Sequence, residues 1–210
     1  MRCNGVNYMY SFSKYLSEQV EGKLWYHGTP EKFNSFEYRN NDIGFHFGTI
    51  EQATQRLNDI GKTGHLIKAK LNIKNPIRLP DLSHFTLENI KQVLKDKSEF
   101  NKDPEFHKIK NPQHLRDYLT KKGYDGIIYK NTKEVPEASG YLNKAESHLQ
   151  KFRDDTGYTE FNAPKSIKDT HENYLLSQLY HEKAAKAIKN HAKDSVIAFK
   201  NSQIIRQLSV

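Results

Sequence analysis

The sequence predicts an α+β fold in which a mixed, mainly antiparallel β-sheet core is flanked by helices and interrupted by a helical insertion before the last strand. Three observations predict it. Short aromatic or branched stretches are punctuated by glycine, as in "LWYHG" (24–28), "IGFHFG" (43–48) and "YDGIIYKN" (124–131), the pattern of brief strands ended by turns. Capped amphipathic segments fall between them. A polar stretch of about sixty residues, 132–193, separates the last two strong strand signals, and that is too long for a plain loop in a compact domain.

Taken in order, Tyr8–Val20 reads as a short amphipathic helix within an amino-terminal extension, 1–22, closed by Glu21-Gly22. Leu24–His27 reads as a strand because aromatic residues suit a half-buried pleated surface, and Gly28-Thr29-Pro30 turns the chain. Ile43–Phe47 is a second strand ending at Gly48-Thr49, where Thr49 caps a helix from Ile50 to about Asp59. "HLIKAKLNI" (65–73) alternates, with Ile67, Ala69, Leu71 and Ile73 on one face and Leu66, Lys68, Lys70 and Asn72 on the other. Asn75-Pro76 is expected to stop it. Helices are expected over Thr86–Lys95 and Pro112–Lys122, the second terminated by Gly123. Tyr124–Asn131 is a strand with a buried centre at Ile127-Ile128, and Ser195–Lys200 is the last strong strand. Inside the insertion, Ile167–Ala192 reads as helix, with Leu176, Leu179, Ala184, Ala187 and Ile188 on one broad face. Lys183, Lys186, Lys189 and Lys193 recur on a neighbouring face. A single domain over 1–210 accommodates all of this.

Charge bounds the partners. The chain carries 33 Lys+Arg against 25 Asp+Glu, a net +8, with a pI near 9.3, a balance that favours a polyanion or an acidic surface. Cys3 is the single cysteine, so no internal disulfide forms and a reducing, cytoplasmic setting is expected. No apolar run approaches the roughly 20 residues of a membrane helix, and Met1–Val20 lacks the apolar core of a signal peptide. A phosphate-cradling glycine loop, cysteines at metal spacing and a helical His-Glu-x-x-His pair are all missing from the sequence. Familiar nucleotide and zinc chemistries are thereby disfavoured, and no metal is expected.

"WYHGT" (25–29), "GFHFGTIEQATQRL" (44–57), "KKGYDGIIYKN" (121–131) and "DSVIAFKNSQI" (194–204) occur in this order. Together they resemble the bacterial and phage ADP-ribosyltransferase-like domains related to diphtheria toxin and the poly(ADP-ribose) polymerases. The resemblance covers Leu24 to about Asn131 and Asp194–Ile204, and leaves the amino-terminal extension and the insertion unaccounted for. It implies a split β-sheet core and NAD+ as substrate. It also implies that His27 bonds the nicotinamide ribose, that Gly28, with Thr29 beside it, presents backbone groups to the nicotinamide amide, and that His46 stacks on the nicotinamide. Glycine suits that place because no side chain keeps the planar amide from the backbone. His46 stands where relatives carry a tyrosine. Phe47, its neighbour, reads as core because successive strand residues face opposite ways, and Arg56 would reach the pyrophosphate from the following helix.

The chain departs from the family on the late strand. Relatives place a glutamate there to steady the positive charge that develops as the glycosidic bond breaks, whereas this chain has Ser195 preceded by Asp194. A carboxylate near the anomeric carbon is still required by an oxocarbenium-like transition state. Glu134, just after "YKNTK", is the preferred substitute, Asp194 the second and Glu160 a distant third.

The resemblance thus implies an NAD-dependent mono-ADP-ribosyltransferase, a toxin or phage-defence effector held by an antitoxin. Its expected acceptor is nucleic acid, RNA ahead of DNA, contacted by Lys183, Lys186, Lys189 and Lys193 and stacked by tyrosines such as Tyr158, Tyr174 and Tyr180. Three other readings stay open: a protein-modifying effector, simple NAD+ hydrolysis, and a catalytically silent NAD- or nucleic-acid-binding domain of the same fold.

Overall fold

The structure, a computed structural model, describes residues 15, 18, 20–38, 42–61 and 63–207. The helix expected over Tyr8–Val20 lies outside them apart from Tyr15, Glu18 and Val20, as does most of the 1–22 extension. The chain divides into two compact units, 1–131 together with 193–210, and 132–192.

The first unit holds two sheets. Strands β1 (Trp25–Thr29), β3 (His65–Leu71) and β7 (Ile204–Arg206) form an antiparallel sheet in the order β1-β3-β7. Strands β2 (Phe45–Phe47), β6 (Lys193–Ala198), β5 (Gly126–Asn131) and β4 (Pro76–Leu79) form the second, in the order β2-β6-β5-β4, with only the β4–β5 pair parallel. Tyr26 and Gly48 join the sheets by exchanging two backbone hydrogen bonds of 2.9 Å each.

Alternation along the strands builds two cores. Trp25, Ala69 and Leu71 of the first sheet pack with Phe45, Phe47, Ile128, Val196 and Ala198 of the second. The opposite face of the second sheet, through Ile77, Leu79, Ile127, Tyr129 and Ile197, packs on helices. These are α2 (Leu87–Lys95), the single turns α3 (Ser98–Asn101) and α4 (Pro104–His107), and α5 (Pro112–Lys121). Burial of each such aliphatic or aromatic side chain contributes about 1.5–3 kcal/mol. Helix α1 (Ile50–Asp59) begins at a capping box: the Thr49 hydroxyl accepts from Gln52 N–H and the Gln52 side chain accepts from Thr49 N–H.

Several expectations need correction. Strand β3 ends at Leu71, before Asn75-Pro76 as expected, but Pro76 then opens the unexpected strand β4, which proline can do because β4 is an edge strand and Pro76 its first residue. The turns α3 and α4 are anchored by Phe100 and Phe106, both buried, within a stretch whose polarity hides them. The insertion precedes β6, yet β6 is not last: the three-residue β7 follows and returns to the first sheet. A strand that short carries almost no period.

The second unit is helical. Helix α6 (Pro136–Thr156) buries Ala138, Ala145, Leu149 and Phe152, and its end is set by Gly157 at φ 68°. After the single turn α7 (Lys165–Lys168), helix α8 (Glu172–His191) packs along α6 through Ser177, Ala184 and Ala187. Of the face expected from sequence, Ala184 and Ala187 are buried and Ile188 packs beside them, whereas Leu179 is 43% exposed. Small residues let two helices approach closely, and that approach fixes the rotation of α8.

Ala184→Leu is accordingly expected to cost about 1–3 kcal/mol by overpacking the seam, while Leu179→Ala stays within about 0.5 kcal/mol of wild type. Urea unfolding followed by helical circular dichroism distinguishes this from a leucine-faced seam, which would reverse the two effects.

Candidate active site

Strand β1 carries His27, Gly28 and Thr29, and β2 carries His46 and Phe47. His27 Nδ1 lies 2.8 Å from the His46 carbonyl oxygen. A carbonyl can only accept, so Nδ1 holds the proton and donates, which makes Nε2 the acceptor of the neutral ring. The His27 ring is packed by Phe33, Phe36 and Phe47, with centroids 6.1, 5.2 and 5.7 Å away. Phe47 is buried in the core between the sheets, as its alternation with His46 requires.

Gly28 has a packing reason of its own. A Cβ there would lie 2.3 Å from the Ala53 carbonyl oxygen and 3.3 Å from the Leu57 side chain, so α1 crosses β1 too closely for any other residue. The buried Thr29 hydroxyl is engaged in the turn, accepting from Glu31 N–H and donating to Glu31 carbonyl.

His46 points to the other side of its strand, where Phe85 and Tyr129 stand edge-on with centroids at 5.6 and 6.4 Å. Burial pushes its pKa down to about 4, assisted by the charges of His27 and Arg56. His27, His46 and Arg56 therefore share one electropositive neighbourhood, with the His46 imidazole neutral at physiological pH. Arg56 is itself exposed on α1.

Next to this group lies a buried polar network that the sequence reading missed. Gln52 Oε1 accepts from Thr49 N–H at 2.7 Å and from the Ser195 hydroxyl at 3.3 Å, and Gln52 Nε2 donates to the Lys193 carbonyl at 3.1 Å. Asn131 Nδ2 donates to Ser195 Oγ at 3.1 Å. The Thr-x-x-Gln spacing was a visible signal for Gln52, while nothing local connects it to Ser195.

The acidic candidates are placed differently from one another. Asp194 is gripped by Arg78 through two bonds of 3.1 and 2.9 Å across the sheet, a fork that also raises the Arg78 pKa. Glu134 is partly exposed in the helical unit, immediately before α6. Glu160 is held by Arg153 at 2.8 and 3.0 Å, which lowers its pKa, so its carboxylate is a structural partner of α6. Lys183, Lys186 and Lys189 are exposed on α8, whereas Lys193 belongs to β6 in the other unit. Tyr174 packs on Phe152, Tyr180 stacks with His148, and Tyr158 is 38% exposed. Residues 132–192 contain nine Lys+Arg and nine Asp+Glu, so the whole excess of +8 belongs to the unit that carries the two sheets.

Among the described residues no group of His, Cys, Asp or Glu is arranged to hold a metal ion, and no helix is long and apolar enough to cross a membrane.

A split sheet carrying this ordered set of motifs defines an ADP-ribosyltransferase, an enzyme class that takes NAD+ as substrate. More particularly, the chain belongs to the family described as ADP-ribosyltransferase in polyvalent proteins, whose model matches residues 18–207 and so spans the helical unit as well. No curated protein and no solved structure matches it.

The His46 environment has a measurable consequence. Its ordinary pKa of 6.5 falls to about 4 on folding, so between those values the unfolded chain takes up a proton that the folded chain refuses. The resulting stability, up to about 3 kcal/mol, is complete above pH 6.5 and declines as pH drops towards 4. Urea midpoints measured from pH 7 to 4.5 should fall more steeply for the wild type than for His46→Phe; parallel curves would contradict it.

Proposed function

We propose that this ADP-ribosyltransferase transfers ADP-ribose from NAD+ to nucleic acid, RNA ahead of DNA, and acts in the cytoplasm as a toxin or phage-defence effector held in check by a protein antitoxin. The observation that carries the acceptor is the charge distribution. The net +8 is confined to the unit bearing His27, His46 and Arg56, and a field of that sign draws a polyphosphate towards it whatever its sequence. Lys193 on β6 belongs to that field, and the exposed Lys183, Lys186 and Lys189 add secondary phosphate contacts.

In this reading His27, held through Nδ1 by the His46 carbonyl, bonds the nicotinamide ribose. Gly28 and Thr29 border the nicotinamide, His46 stacks on it as a neutral ring, and Arg56 meets the pyrophosphate. Phe47 contributes from beneath by packing the His27 ring. The bond from ribose to the nicotinamide nitrogen breaks with its electron pair leaving on nicotinamide, and a nucleophile of the acceptor adds to the ribose carbon. A carboxylate steadies the cation between these events. We assign that role to Glu134, which follows "YKNTK" just beyond the end of β5, with Asp194 as the alternative.

The test incubates the protein with NAD+ labelled in the adenylate and, separately, with RNA, single-stranded DNA and lysate protein. Label is expected on RNA. It should fall by about a hundredfold or more in Glu134→Ala and be lost in His27→Ala. Full transfer by Glu134→Ala together with loss in Asp194→Ala would move the carboxylate to Asp194. Label on protein alone would replace the acceptor, and nicotinamide release without labelled polymer would identify a hydrolase.

A further inference from the structure

The residues read as contacting NAD+ all lie in the four motifs, but the ring of phenylalanines around His27 is held by a residue outside them. Arg206, on the last strand β7, pairs with Ala69, which pairs in turn with Trp25, so Arg206 stands on the same face of the first sheet as His27. Its Nη1 donates to the Phe33 carbonyl at 2.9 Å. Its guanidinium carbon lies 5.1 Å from the Phe33 ring centroid and 5.2 Å from that of Phe36. Those two rings meet edge to face at 4.9 Å, and both make edge contacts with the His27 imidazole. Arg206 Nη2 is buried with no hydrogen-bond partner among the described residues. A buried donor without a partner opposes folding, and the electron-rich faces of two phenylalanines offset part of that cost.

We propose that Arg206 is a positioning residue for His27, acting through Phe33 and Phe36. The planar guanidinium pins the backbone of the β1–β2 connection at Phe33 and covers both rings, and the rings fix the plane of the imidazole whose Nδ1 is tied to His46. One contact controls the position of the ring nitrogen and the other its tilt. Together they hold the direction of Nε2, because packing against two rings restricts a tilt that a hydrogen bond at Nδ1 permits. Lysine cannot substitute, since an ammonium has neither the plane to cover two rings nor the fork to hold a carbonyl while doing so. This inference rests on the reading of His27 as an NAD+-contacting residue for its functional consequence, and on geometry alone for its structural one.

Two measurements keep these separate. In the protein without NAD+, the ring resonances of His27, assigned by their absence in His27→Gln, should shift and broaden in Arg206→Met while those of the other histidines stay in place. Arg206→Lys should behave like Arg206→Met and serves in its stead where the methionine variant is poorly folded. Unchanged His27 resonances in a folded variant would overturn the proposal. For NAD+ affinity, Arg206→Met should weaken binding about tenfold in the wild-type background and have little further effect in His27→Gln. Equal losses in both backgrounds would show that Arg206 acts independently of His27. Shifted resonances with unaltered NAD+ affinity would uphold the positioning and instead remove His27 from the NAD+ site.

Discussion

The reciprocal backbone pair between Tyr26 and Gly48 is the constraint on which the arrangement of the sheet-bearing unit depends. Each sheet satisfies most of its own backbone groups internally, and this exchange fixes where the end of β2 meets the middle of β1. It sets His27, the next residue along β1, against Phe47 and within reach of the His46 carbonyl. Gly48 can take this place because it has no side chain: a Cβ would stand 2.7 Å from Gln52 Oε1 and 3.2 Å from Ser195 Oγ. The same missing atom therefore joins the sheets and lets the Gln52 network close behind them. Both strands owe their alignment to a contact of two residues.

Around that junction the two faces of the second sheet separate two chemistries. Phe45 and Phe47 enter the apolar layer between the sheets, while His46 between them turns towards Phe85 and Tyr129. In that setting an imidazole next to His27 and Arg56 cannot hold a proton at neutral pH, since burial removes solvation and the neighbouring charges repel. The Arg78–Asp194 fork and the Gln52–Ser195–Asn131 network close the adjacent end of the sheet with satisfied polar groups, as a buried polar region requires.

Much of this was legible in the chain. Thr49 announces α1, Gly123 ends α5, the alternation of 65–73 marks its inner face, and the first two motifs contain His27, His46 and Arg56, whose charges interact in the fold. The misses share a cause. Strand β7 and the turns α3 and α4 are too short to show a period, β4 begins with a residue that normally ends strands, and Ser177 on α8 is polar, so its burial leaves no hydrophobic signature. In each case the element is stabilised by what it packs against.

The sequence by itself determined the class of fold, the family, the ends of the helices and the identity of the motif residues, because caps, turns and alternation act over a few neighbouring residues. Tertiary structure alone decided which of those residues meet, and it supplied their partners. Gln52 reaches Ser195 across 143 residues of chain and Arg206 reaches Phe33 across 173. Hydrogen bonds and ring contacts of this kind depend on distance in space, and chain order says nothing of that distance until the sheets have closed.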